Sequence, residues 1–450
     1  MESRPRGRRL LAPTVALLVA AACPIASMGE AASTNALSLR VAIDLALTNN
    51  ADLAAQSAQA LAARERADVA KARRWPAVGL SGSFHENMDD TRLMAARYNG
   101  EQGVFASEYA EGGVTLRLPL YTGGRLSAEI RGADLLADSA QGRLARSRNE
   151  LIFNVSSIFY AILAQRHVIE SVAFSVETME QHLKRVGELV AAQKAARVDA
   201  LRTEVRRAEL QQRLIETRNA LAIQERALAN LLGLETAPLP ALDGKLELDE
   251  PEVCPAPADC IAAAMEQRAD YRAARLDAEA AQSAVRAARG DRLPRVSLSG
   301  SYGYRWAVDP SEQPDGTDDA EDIARVGIVV ELPIFEGGRL SAGVREAEAN
   351  LTAARERVRD RRLRIRREVE TALLNLSAAR QRVDVAQSAV TQAEESLRIE
   401  REKYELGKGA IVDVLDAQSA LLQTQTSYYR ALADLNTAVA ERNLAVGKEF

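Results

Sequence analysis

Asp413 and Asp416, in the string Ile411-Val412-Asp413-Val414-Leu415-Asp416, are the residues of this 450-residue chain whose type and spacing most suggest chemistry. Three apart on a helix, their carboxylates share one face. Rings of such groups from several copies would attract cations and repel anions, and crowding would raise some of their pKa values. The same pair also suits a plainer role, with Asp413 capping a helix N-terminus and Asp416 in its favourable first turn. Other reactive groups are sparse. His85, His167 and His182 show no His-x-x-x-His spacing, and Cys23, Cys254 and Cys260 form no Cys-x-x-Cys, so no metal centre is expected. No GxSxG, HExxH or GxxxxGK[ST] string occurs, so neither an enzyme nor a nucleotide cofactor is expected. With 58 basic against 63 acidic residues and a net charge of −5, the chain lacks the basic excess of a nucleic-acid binder.

Residues 1–32 have the form of a secretory signal peptide: Arg4, Arg6, Arg8 and Arg9, an apolar run from Leu10 to Ala22, then small residues. Cys23 closes that run in the string VAAAC and admits two readings, an ordinary signal with an incidental cysteine or an acylated lipoprotein cysteine. Ala20 three positions before it and Pro24 directly after it suit the first. Beyond the signal no uninterrupted apolar stretch approaches 18 residues, so any membrane insertion has to use strands, lipid or a partner.

The rest of the chain is a duplication. LPLYTGGRLSA at 118–128 returns as LPIFEGGRLSA at 332–342, an offset of 214 that also aligns Asp199 with Asp413; upstream the offset is 218, aligning NNADL at 49–53 with QRADY at 267–271. The expected division is a first repeat over 33–237, a proline-rich equatorial linker over 238–259 and a second repeat over 260–450. Each repeat holds a helix, two strands and two long helices. No proline lies between Pro119 and Pro238, nor after Pro333, and both stretches are rich in Ala, Leu, Glu, Gln and Arg. Ile169, Val172, Val176, Met179, Leu183, Val186 and Val190 step by 3 and 4 in turn, the 3.5-residue period of left-handed supercoiled packing. Val383, Ala386, Val390, Ala393, Leu397, Glu400 and Tyr404 are its counterparts. A helix from Arg125 to about Val190 would reach ~100 Å at 1.5 Å per residue.

Ahead of the long helices lie segments of another kind, 78–88 and 112–121 in the first repeat and 296–306 and 325–335 in the second. They alternate apolar with small or polar residues, have the length of a membrane strand, and carry Phe84, Tyr121, Tyr302, Tyr304, Trp306 and Phe335. Polar loops join them, 89–111 and the acidic 307–324. Strands in a soluble hairpin would read similarly. In a membrane, however, four strands cannot close a barrel, and open edges do not survive in lipid. Three copies would supply twelve strands above a ring of twelve long helices. The fold expected is thus mainly α with a β-barrel part, completed as a trimer.

These residues resemble the TolC family of outer-membrane efflux and secretion ducts. The resemblance is carried by LSLRVAIDLALTNNADL at 37–53, the two LP-x-x-x-GGRLSA elements with Gly123, Gly124, Gly337 and Gly338 at strand-to-helix turns, the duplication, and YELGKGAIVDVLDAQ at 404–418. It implies a homotrimer in the outer membrane reaching into the periplasm, passive, opened by a periplasmic adaptor and driven by an inner-membrane pump of RND or ABC type. It also implies that Asp413 and Asp416 line the periplasmic entrance and that Tyr404 and Asp199 take part in the contacts that close it. One member of that family has an arginine where this chain has Gly409, so one basic contact is expected to be missing; either neighbouring Lys408 replaces it or the entrance is held less tightly. In an oxidising periplasm Cys254 and Cys260 are candidates for a disulfide, the alternative being two reduced thiols. Drug efflux, metal-ion efflux and protein secretion all use ducts of this shape. The competing reading is a structural coiled-coil protein of the periplasm, which would not need four strands.

Overall fold

The computed structural model describes residues 37–94, 104–235, 239–244, 246, 256–308 and 320–448. The signal segment with Cys23, most of the two strand-joining loops, and Cys254 lie outside them. The element order is α1 (Leu39–Asn49), α2 (Ala51–Ala72), β1 (Ala77–Met94), β2 (Val104–Tyr121), α3 (Arg125–Ala191) and α4 (Arg197–Leu231). The same order follows in α5 (Pro257–Gln267), α6 (Ala269–Gly290), β3 (Arg295–Ala307), β4 (Ala320–Glu331), α7 (Arg339–Glu405) and α8 (Ile411–Val446).

Several elements differ from the sequence reading. The single helix expected at the start of each repeat is two, because Asn50 and Arg268 leave helical geometry (ψ 122° and 118°) and serve as N-cap positions of α2 and α6. β1 and β2 run 18 residues each, well past the segment an acyl core requires. Their ladder is made by the backbone and needs no apolar side chains, so it continues where the residues turn polar. β4 lies at 320–331 rather than 325–335. Pro333 has no N–H to give a ladder, and Glu321 and Asp322, read as loop, pair opposite Arg305 and Tyr304. Phe335, expected at a strand end, is outside the sheet and 87% exposed. The connector read as non-helical through residue 259 already turns helical at Pro257, where a missing N–H costs nothing.

All four strands form one antiparallel sheet in the order β1-β2-β3-β4. Its register sorts residues by parity. Val78, Leu80, Val114, Tyr302, Trp306, Val326 and Ile328 fall on one face and are exposed, while His85, Glu111, Thr115, Ser299, Ser301 and Arg325 fall on the other. One face is thus apolar with an aromatic end, the other polar.

α3 and α7 are 67 residues each. α3 is central and packs against α1, α2, α4, α6 and α8, whereas α7 meets α5, α6 and α8. An 18-residue window of α3 has membrane-like mean hydropathy although it is not an unbroken apolar run; 44% of that window is buried by its neighbours. Val172, Met179 and Val186 are fully buried at seven-residue spacing and meet Leu210 of α4 and Ile411, Leu415 and Leu422 of α8. In α7 the buried set Ile365, Val369, Ala372, Leu376, Ala379 and Val383 keeps the same alternating steps of 4 and 3. Val383, Ala393 and Leu397 of the expected seam are buried, and its other four members are half-buried.

Candidate functional site

Two strand-to-helix turns hold the sheet on the helices. Gly123 and Gly124, and Gly337 and Gly338, all have positive φ, from 57° to 85°. A Cβ on Gly123 would also come within 2.6 Å of the Gly290 carbonyl at the end of α6, so that position needs both the left-handed backbone and the missing side chain.

At the far end of the helices lie the turns α3–α4 and α7–α8. Each closes by the same pair of backbone bonds, Gln193 N–H to Val190 O and Lys194 N–H to Leu189 O in one, Gly407 N–H to Tyr404 O and Lys408 N–H to Lys403 O in the other. Gly407 sits at φ 69°, and its counterpart Gln193 adopts φ 63°. The following helices begin alike, with Asp199 and Asp413 at the third position. The Asp413 carboxylate accepts the Ala410 N–H at 3.4 Å, so the capping role applies to it. Asp416 lies one turn on, and both carboxylates are exposed. Buried residues Ile411, Val414 and Leu415 fix the face from which the two acids point away.

Tyr404, the last aromatic of α7, packs against the core formed by α3, α4 and α8. Its ring lies 5.7 Å from that of His182 on α3. Its hydroxyl is buried without a hydrogen-bond partner among the described residues, as is His182 Nε2. Burial raises the phenol's pKa, and the charge of Asp199 raises it further; the structure brings these two residues near each other without a hydrogen bond. Burial lowers the pKa of His182, Arg401 lowers it further, and Glu405 partly opposes them, which favours the neutral ring. His182 and Tyr404 therefore meet through their rings and not through a hydrogen bond. Gly409 is tight, a Cβ there meeting Lys403 Cβ at 3.0 Å and Tyr404 N at 3.2 Å; a larger residue would press on the end of α7. Lys408 is exposed, and its ammonium makes no ion pair among the described residues. Arg206 of α4 donates to Ser419 of α8, tying the two shorter helices together above the acids.

Cys260 is 1% exposed and disulfide-bonded, and it packs with Ala264 on Ile365, Val369 and Ala372 of α7. Sequence reasoning missed His182, which stands beside the heptad seam, and Arg268, a 1%-exposed side chain bonded to Asp270 and Glu368. For Arg268 a signal existed: the duplication sets it opposite Asn50, an exchange of an amide for a charge at a matched position.

The chain matches the family model described as "Outer membrane efflux protein" over residues 42–234 and 260–448, one block in each repeat. Among curated relatives, the cobalt-zinc-cadmium resistance protein CzcC of Cupriavidus metallidurans is 25% identical over 92% of this chain and 90% of its own length. The outer membrane protein TolC of Vibrio cholerae is 21% identical over 89% and 88%. Among solved structures, CusC superposes with a TM-score of 0.78 at 18% identity, covering 91% of this chain and 92% of that one. VceC of Vibrio cholerae gives 0.75 at 21% identity, covering 91% and 96%. With four strands, two helix pairs of matched length and a family match across both repeats, this chain is a member of the outer membrane efflux protein family, an outer-membrane protein whose helices extend into the periplasm.

Proposed function

We propose that three copies share one twelve-stranded barrel, and that the assembly is the passive exit duct of a tripartite efflux or secretion system. The observation that carries this reading is the sheet. Its outer strands β1 and β4 each pair on one side only, and its apolar face is exposed. Unpaired backbone groups cost several kcal/mol each in hydrocarbon, so a sheet of this kind is stable in a membrane only when copies close it. The partners are then two further copies, outer-membrane lipid, a periplasmic adaptor at the helical tip and an inner-membrane pump of RND or ABC type. Asp413 and Asp416 ring the periplasmic entrance as six carboxylates, and Tyr404 with Asp199 belongs to the contacts that must part when it opens. Cys254 is the partner proposed for Cys260, closing the connector. The two repeats divide near residues 237 and 260.

The test is the protein mass of the complex extracted in mild detergent from separated outer membranes, followed by recordings of that complex in planar bilayers. A trimer whose cation preference falls on Asp413→Asn with Asp416→Asn is the expected result. A monomer overturns the shared barrel, and a trimer with unchanged selectivity removes the two aspartates from the entrance.

A further inference from the structure

The polar face of the sheet holds a second charged site of the opposite sign. Arg117 on β2 and Arg325 on β4 are exposed, and neither makes an ion pair or hydrogen bond among the described residues. Of the other arginines near them, Arg305 pairs with Glu111 and Arg295 with Asp291 at 2.5 Å, while Glu321 and Glu331 on the same face of β4 make no ion pair among the described residues. Register places Arg117 opposite Ser299, which faces Gly327, and places Arg325 opposite Ser301, which faces Thr115. The two arginines therefore flank a floor of small residues. That floor forms a hollow of 570 Å³ lined by both arginines. Two of its hydroxyls are turned onto the sheet's own carbonyls, Thr115 to Gly79 at 3.4 Å and Ser299 to Gly327 at 3.3 Å, which leaves the guanidiniums and the Ser301 hydroxyl as its donors. They stand two strand spacings apart, about 10 Å, and one two-residue step along, about 7 Å, within reach of one elongated anion.

We infer that Arg117 and Arg325 form an oxyanion-binding belt on the inner wall of the membrane barrel. The inference rests on the shared-barrel reading above, which turns the polar face inward because the apolar face must meet lipid. Three copies then present six guanidiniums in one belt, each able to grip a carboxylate, sulfate or phosphate through two parallel N–H groups. The duct so built has unlike ends. Acid rings at the periplasmic entrance favour cations, and the belt inside the membrane holds the anionic groups of molecules leaving through it.

Tripolyphosphate added to the extracellular side of a planar bilayer tests the belt in the full-length protein. It is expected to block the wild-type channel, with a half-blocking concentration that rises about tenfold in Arg117→Gln with Arg325→Gln. The double lysine variant is expected to keep a weaker block, since charge survives while the fork is lost. Asp413→Asn with Asp416→Asn is expected to leave the block intact. A wild-type channel that tripolyphosphate does not block, or an equal block in the double glutamine variant recovered at the same mass in detergent, overturns the belt. Recovery of the wild-type protein as a monomer in detergent overturns instead the shared barrel on which the belt rests.

Discussion

The two repeats bind the same carbonyl in different ways. In the first, the Asn50 amide caps α2 by accepting the Leu53 N–H at 2.9 Å and donates to the Leu231 carbonyl at the end of α4 at 3.0 Å. In the second, Arg268 occupies the matched position and reaches the matched carbonyl, Ala445 at the end of α8, at 3.2 Å. A guanidinium cannot be buried as cheaply as an amide. It is met by Asp270 through two bonds of 3.0 and 2.7 Å and by Glu368 of α7 at 2.6 Å, while Asp52, the counterpart of Asp270, stays exposed. The two repeats share the backbone solution, and the link that is neutral in the first is charged in the second, where it also clamps a third helix. A buried charge makes such a junction strict, because every partner must be present for any of them to be tolerated.

That contrast predicts unequal sensitivity. Arg268→Ala leaves Asp270 buried with Arg361, 3.5 Å away, as its remaining ion-pair partner, and is expected to cost about 3 kcal/mol, read as the largest fall in the thermal midpoint of the detergent-solubilised protein. An effect no larger than that of Asn50→Ala would erase the distinction. Acid should reach the second repeat selectively. Burial opposes ionisation of Asp270, but the hydrogen bonds and charge of Arg268 outweigh it and hold the carboxyl below its ordinary value of 3.8. Its contribution is complete above that value and disappears as pH falls through the lowered folded-state pKa, because the unfolded chain binds the proton first. Amide-exchange protection around α5 and α6 is expected to fall below about pH 4 before that around α1 and α2, and equal loss in both would show that Asp270 is not the group responsible. Asn50→Ala removes a neutral cap and is expected to cost about 1 kcal/mol. The smallest effect is at the tip. Gln193 holds the left-handed conformation that Gly407 holds in the other repeat, so Gln193→Gly is expected to stabilise the α3–α4 turn by up to about 1 kcal/mol. A lower midpoint would mean that the glutamine side chain has a contact that outweighs its strain.

Much of this was legible beforehand for identifiable reasons. A 3.5-residue repeat at Val172, Met179 and Val186 can satisfy only a supercoiled helix, and double glycines after a strand suit a left-handed turn into a helix. The helix expected from Arg125 to about Val190 ends within a residue of α3, whereas the prolines Pro119, Pro238 and Pro333 only bracket the helices from six or seven residues outside. The limits of β1, β2 and β4 were less legible, because ladder bonds form between backbones whatever the side chains, and hydropathy reports only the part that meets lipid. The tip was half readable: Asp413 and Asp416 stand on one helical face as their spacing requires, but the neighbour of Tyr404 did not. His182 lies 222 positions earlier in the chain, and only the packing of α8 against both α3 and α7 brings the rings together.

The sequence by itself determined what depends on neighbours along the chain: the period of each helix, the alternation of each strand, the turns that glycine permits, and the duplication that orders them. The tertiary structure alone decided what depends on residues far apart. It made α3 a central helix and α7 a peripheral one although they are equal in length, it buried Arg268 against two carboxylates, and it set Arg117 and Arg325 around one hollow. The physical reason is that local propensity and periodicity act over a few residues, whereas burial and charge pairing are properties of a site, whose members are chosen only when the chain has packed.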